Sequence, residues 1–183
     1  MDENLKILIR QCQENQRSAQ AEIYNLYSAP LFSVCLRYTN SYEDAQDIFQ
    51  DGFIMIFNKI NQFRFEGSFE GWLRRIMVNC CIERHRGKNH LYVINEEITA
   101  DDSVEEDLEA EDYSYEELLH FIRMLPDRYQ QVFNLYAIEG YSHQQIAELL
   151  QISVGTSKSN LSRAREKLKE LIKKNSDVKL MSK

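Results

Sequence analysis

The chain has 183 residues, 43% hydrophobic and 11% aromatic, enough to bury one core or two small ones. Six glycines and two prolines argue against a turn-rich β fold, and no apolar run reaches the length of a membrane span. The net charge of −7 is uneven: residues 1–90 carry 11 basic and 11 acidic groups, 91–117 carry 12 acidic and no Lys or Arg, and 118–183 carry 11 basic and 6 acidic.

The opening MDENLKILIRQ is acidic and amphipathic, unlike a secretory signal, which predicts a cytoplasmic protein with no membrane insertion. Leu5, Leu8, Ile9 and Cys12 recur at helical spacing. Ala21, Ile23, Tyr24, Leu26 and Tyr27 form an apolar band that Leu31, Phe32, Cys35 and Leu36 continue, with a kink or a new helix start at Pro30. Residues 41–60, SYEDAQDIFQDGFIMIFNKI, form the clearest amphipathic helix. Ser41 is placed to cap it, with Asp44 three residues on. Its buried stripe is Ala45, Ile48, Phe49, Gly52, Phe53, Ile56 and Ile60. Asp44, Asp47 and Asp51 share another face, for which solvation is the plain reading.

Gly67 and Gly71 interrupt the pattern, and a helix resumes with Phe69, Trp72, Leu73, Ile76 and Cys80 on one side. Arg74, Arg75, Asn79, Arg84 and Arg86 occupy its other faces. Over Phe63–Arg86 aromatics and arginines interleave, a composition suited to stacking unpaired bases while cations hold the backbone. Trp72 belongs to the apolar stripe, whereas Phe63 and Phe65 fall in the glycine-containing loop. Residues 91–117 hold too little apolar surface to offset their ordering entropy and are expected to form a flexible acidic linker.

Beyond it, LLHFIRML is a short helix stopped by Pro126, and DRYQQVFNLYAIEG another, ended by Gly140. Ser142 is placed to cap a helix through Leu150; Gln151, Ile152 and Ser153 make a turn, and Ser153 caps the next helix. There Ser157, Leu161, Ala164, Leu168 and Leu171 make the inner stripe, and Lys158, Ser159, Ser162 and Arg163 the opposite face. Helix, tight turn and a second helix with a polar, basic face form a helix-turn-helix pattern, the kind that enters a DNA major groove. A solvated helical hairpin is the bland alternative. The four cysteines lie within helical patterns and read as reduced and packed, and neither they nor the four scattered histidines form a metal, cofactor or catalytic constellation. His143 reads as a surface histidine.

Together, EDAQDIFQDGFIMIF, FEGSFEGWLRRIMVN and LPDRYQQVFNLYAIEGYSHQQIAELLQISVGTSKSNLSRAREKL resemble the extracytoplasmic-function (ECF) sigma factors of the sigma-70 family, in order, from about Leu5 to Leu171. The resemblance implies an all-α fold of two small helical domains: region 2 over 1–90 and region 4 over 115–183, joined by the acidic linker 91–114. It implies a subunit that brings RNA polymerase core to promoters and needs no cofactor. Asp44, Asp47, Gln50 and Asp51 would dock on the clamp helices of the largest polymerase subunit, and region 4 would meet the flap region. This replaces the solvated reading of the acidic face. Phe63 and Phe65 would lie in the loop that captures a flipped minus-10 base, with Arg74, Arg75 and Asn79 at the duplex edge. Lys158, Ser159, Ser162 and Arg163 would read the minus-35 element, with Thr156 and Arg165 on phosphates. The family commonly has an anti-sigma partner. Two positions depart from its pattern: Gln151 stands where glycine is frequent in the turn, and Asn160 where a basic residue is common. A lone helix-turn-helix regulator, an enzyme and a pure interaction module are the alternatives; the sequence offers no dimerisation seam to the first and no catalytic pattern to the second.

Overall fold

A computed structural model describes residues 1–88 and 113–181, with side chains through Arg86 and from Tyr113 to Asn175. The fold among the described residues is all-α. They fall into two units, one within residues 1–91 and the other within 92–183, each with its own core. The linker expected over 91–114 lies outside the described residues except for Tyr113 and Ser114.

The first unit contains α1 (Glu3–Gln13), α2 (Arg17–Tyr38), α3 (Tyr42–Lys59) and α4 (Phe69–Lys88). A short 3-10 turn, Ile60–Gln62, follows α3. The Ser41 hydroxyl accepts the Asp44 amide and caps α3. Every residue of the α3 stripe expected from the spacing is buried, through Ile60. Helix α4 is buried more widely than its stripe suggests, since Met77, Val78, Cys81 and Ile82 join Phe69, Leu73 and Ile76 in the core. Gly52 lets α3 and α4 approach: a Cβ there would collide with the Met77 side chain.

Pro30 starts no new helix, because α2 runs through it. Pro30 and Leu26, whose carbonyl loses its helical donor, both lie on the exposed side of α2. Water can satisfy that carbonyl, which lowers the usual cost of a mid-helix proline. The same geometry corrects the band before Pro30: Ile23 is buried, while Ala21, Tyr24 and Leu26 are exposed. The cysteines are free; Cys12, Cys35 and Cys81 are buried and Cys80 is half-buried.

The second unit contains α5 (Tyr115–Arg123), α6 (Asp127–Phe133), α7 (His143–Leu150) and α8 (Val154–Met181). Ser114 and Glu117 form a reciprocal capping box on α5. Tyr113 packs edge-on against Phe121, and its hydroxyl donates to the Ile172 carbonyl at 3.3 Å. Tyr113 and Ser114 therefore belong to this unit rather than to a linker. Phe121, Leu125, Ala164 and Leu168 form its core. The helix expected up to Gly140 changes form part-way: α6 passes into a π-helical turn, Asn134–Ile138, closed by the Glu139 amide on the Asn134 carbonyl at 2.9 Å.

Ser142 and Gln145 form a second capping box, on α7. The helix ends at Gln151, in the left-handed region at φ 57° and ψ 46°, and the Ile152 amide reaches back to the Ala147 carbonyl at 3.0 Å. This Schellman-type closure favours glycine at the left-handed position, since a Cβ there costs roughly 1–2 kcal/mol. Glycine recovers part of that gain as freedom in the unfolded chain. Gln151→Gly is expected to stabilise the second unit by about 0.5–1 kcal/mol, read as a higher denaturant midpoint for loss of its helical signal.

Candidate nucleic-acid and polymerase interfaces

In the first unit, Asp44, Asp47 and Asp51 lie along one face of α3, with Gln50 exposed beside them. This face is not purely acidic. Arg84 of α4 reaches across, its Nη2 3.3 Å from Asp44 Oδ1 and 3.2 Å from Asp47 Oδ2. Asp44 is the more enclosed carboxylate, and Asp47 keeps 62% of its side chain exposed. Asp51 and Gln50 are exposed. The row therefore presents its full negative charge only towards its Asp51 end. Such partly exposed pairs contribute about 0.2–1 kcal/mol each, little enough for a partner to exchange them.

The loop after the 3-10 turn divides its aromatics. Phe63 is only 4% exposed and packs between Phe69 and Trp72, with ring centres 5.0 and 5.5 Å away. This corrects its expected role: a ring enclosed by two neighbours has no free face for a base, so Phe63 anchors the loop. Phe65 is half-buried, takes the left-handed region at φ 62°, and leans on Phe63 with centres 5.4 Å apart. Gly67 follows at φ 80°. Arg64, Glu66 and Ser68 are exposed, and Ser68 caps α4 by accepting the Gly71 amide at 3.2 Å. Trp72, expected in the core, is half-buried. On α4, Arg75 is exposed while Arg74 and Asn79 are half-buried.

In the second unit, the Ser153 hydroxyl accepts the Thr156 amide at 2.9 Å and lies 2.8 Å from the Thr156 hydroxyl. Thr156 is thus tied into the cap of α8. Ser157 is wholly buried, with Leu161, Ala164 and Leu168 behind it. Lys158 and Arg163 are exposed, and Ser159 and Ser162 are half-buried beside them. The Ser159 hydroxyl donates to the Thr156 carbonyl at 3.1 Å. Arg165 lies half-buried, its guanidinium 6.0 Å from the centre of the Tyr136 ring. Among the described residues no group of His, Cys, Asp or Glu is placed to hold a metal ion, and no helix is long and apolar enough to cross a membrane.

Comparison with known proteins accounts for both units. The Sigma-70 region 2 family matches residues 23–90, and the Sigma-70, region 4 family matches residues 111–168. The ECF RNA polymerase sigma factor SigW of Bacillus subtilis is 30% identical over 185 residues, spanning 94% of this chain and 99% of its own. The chain belongs to the ECF sigma factors. The ECF RNA polymerase sigma-E factor of Haemophilus influenzae is 31% identical, over 90% of this chain and 93% of its own. Two solved structures share the fold. CnrH, in complex with the cytosolic domain of CnrY, has a TM-score of 0.51 at 20% identity, covering 91% of this chain and 96% of its own. RpoE, in complex with the anti-sigma factor NepR from Bartonella quintana, has a TM-score of 0.52 at 22% identity, covering 84% and 96%. The chain is thus a promoter-specific transcription initiation factor of bacterial RNA polymerase, with the sigma region 2 and region 4 domains on an all-α fold.

One region 4 residue plays a part that the sequence hid. His143 is not a plain surface histidine. Its Nδ1 shares a hydrogen bond with the buried Ser157 hydroxyl at 2.9 Å, and its ring stacks on Tyr136 at 4.5 Å. It therefore joins α7, α8 and the π-helical turn. The available signal was Ser157 itself: a hydroxyl within an apolar stripe needs a partner. Burial first, then the charges of Lys158 and Arg165, lower the His143 pKa from its ordinary 6.5. The unfolded chain thus takes up this proton before the folded one. The stability contributed by the neutral ring is complete above about pH 6.5 and is lost as pH falls through that value towards the folded pKa. Region 4 should unfold at lower denaturant at about pH 5.5 than at about pH 7.5, and His143→Gln should remove the part of that slope nearest pH 6.5.

Proposed function

We propose that this sigma factor docks on core polymerase through the Asp51 end of the α3 face, with Asp47, Gln50 and Asp44 beside it, and that a basic clamp surface replaces Arg84 at Asp44 and Asp47. Region 4 then meets the flap region and lays α8 in the minus-35 major groove. Lys158, Ser159, Ser162 and Arg163 reach base edges, while Thr156, at the capped start of α8, lies near phosphate. Arg165, packed over Tyr136, meets phosphate from the side of the helix. Region 2 holds the melted minus-10 strand with the loop from Phe63 to Phe69 and with Arg74, Arg75 and Asn79. Phe63 serves this role as an anchor, and Phe65 is the loop aromatic offered to an unpaired base.

The observation that carries this reading is the presence of two exposed faces of opposite charge on one chain: an acidic row on α3, and Lys158 with Arg163 on the helix-turn-helix. Polymerase carries out the chemistry and this chain supplies no catalytic group. An anti-sigma factor is its further partner; CnrH and RpoE, which share its fold, are each described in complex with another protein, CnrY and the anti-sigma factor NepR. The protein works in the cytoplasm, where polymerase is, and the acidic segment before Tyr113 joins the two domains.

Transcription by purified bacterial core polymerase on a genomic DNA library, with and without the chain, tests the whole reading. New discrete starts sharing upstream elements are expected; core that gains no starts would overturn it. Asp51→Arg is expected to weaken binding to core at least tenfold while leaving the helical signal intact; unchanged affinity would remove α3 from the docking surface. Arg163→Ala is expected to cost about 1–3 kcal/mol of minus-35 binding, and an equal loss on a scrambled element would make it a phosphate contact instead.

A further inference from the structure

The base-capturing loop is held from behind by the first helix of the chain. Gln13 of α1 donates from Nε2 to two backbone carbonyls, Ile60 at 3.0 Å and Phe63 at 3.1 Å. These carbonyls lie 47 and 50 residues further along the chain, at the start of the 3-10 turn after α3 and at the first residue of the loop. One turn back on the same face, Arg10 places its guanidinium 5.6 Å from the centre of the Phe65 ring. Phe65 is the loop residue with the left-handed backbone. Two side chains of α1 therefore hold the entry of the loop and its one half-buried aromatic, and neither belongs to the elements that flank the loop.

We propose that Gln13 and Arg10 are positioning residues for minus-10 recognition, fixing the loop so that Phe65, Arg64 and Glu66 meet the extruded base as a preformed set. The inference rests on the reading that this loop binds a minus-10 base. A loop with positive φ at both Phe65 and Gly67 has several accessible backbone paths, of which the folded loop takes one. An amide that bridges two carbonyls at its entry makes that selection. Gln13 is half-buried, so water can reach both carbonyls when its amide is removed. The fold then persists while the loop spreads over several conformations, and ordering it again must come out of the binding free energy of the base. Arg10 adds an attraction that holds the Phe65 ring against Phe63.

The test uses the full chain with core polymerase and a promoter recovered from the library experiment, its minus-10 bases substituted in turn. Melting by permanganate reactivity gives the preference for each base; affinity for core and the denaturant midpoint are measured alongside. Gln13→Met keeps the size of the side chain without a donor, and Gln13→Glu places acceptors against the two carbonyls. Both are expected to reduce the strongest minus-10 preference about tenfold, the cost of ordering the released loop again, with core affinity at the wild-type value and the midpoint little changed. Phe65→Ala reports on the loop itself. Preference lost in Phe65→Ala but intact in both Gln13 variants would overturn the positioning role and leave the loop reading standing. Preference intact in all three would overturn the loop reading. Losses of preference, core affinity and midpoint together in the Gln13 variants would reduce Gln13 to a structural contact and overturn the proposal.

Discussion

Helix α3 has no side chain at residue 52, and the Met77 thioether of α4 lies where one would be. The missing Cβ leaves room for that side chain between α3 and α4, and the two exposed faces of region 2 described above stand on those two helices. The acidic row stands on α3, while Arg74, Arg75 and Asn79 stand on α4. Arg84 reaches from one helix to the other only because they are close. Glycine inside a helix costs about 0.5–1 kcal/mol relative to alanine. The Ser41 cap and the fully buried stripe of α3 offset that cost. Methionine suits the site, because an unbranched, polarisable side chain fills an irregular gap without demanding one shape.

Region 4 meets the same need for close helices with different chemistry. Ser157 and Ala164 present small side chains on the inner face of α8, and Ser157 brings a hydroxyl that His143 satisfies. A polar tie at a helix crossing is more directional than an apolar contact, so it fixes the rotation of α8 about its axis as well as its distance. That rotation decides which side chains face outward. Lys158 and Arg163 point outward because Ser157, Leu161 and Ala164 point inward, and Arg165 is diverted onto Tyr136.

The helices and their faces were legible in the sequence wherever one local rule decided the outcome. Ser41, Ser142 and Ser153 cap helices because a hydroxyl three residues before an amide needs no help from the rest of the fold. Gln151 takes the left-handed conformation at the turn expected between the two helices. Reading failed where the outcome depended on distant residues. Pro30 was open between a kink and a new start because its cost depends on whether water reaches the Leu26 carbonyl. The π-helical turn at Asn134–Ile138 follows no periodicity that a 3.6-residue pattern reveals. Phe63 sits in a segment that reads as loop, yet its ring is enclosed by Phe69 and Trp72. Arg84 and Gln13 act on partners 37 to 50 residues away, a distance over which spacing carries no information. The exposed faces of α3 and α8 were visible from the sequence, and the residues that brace them were not.

All four cysteines lie in region 2 and none in region 4. Burial pushes the Cys12 thiol up to about 11, and a hydrogen bond to Cys35 followed by burial raises that of Cys81. Only the thiolate reacts readily with alkylating reagents, so these buried thiols stay silent until the helices around them part. Modification of buried Cys12, Cys35 and Cys81 acts as a chemical clock that counts openings of the first unit and is blind to the second. The protein carries, without any added label, a means of timing the failure of one half independently of the other.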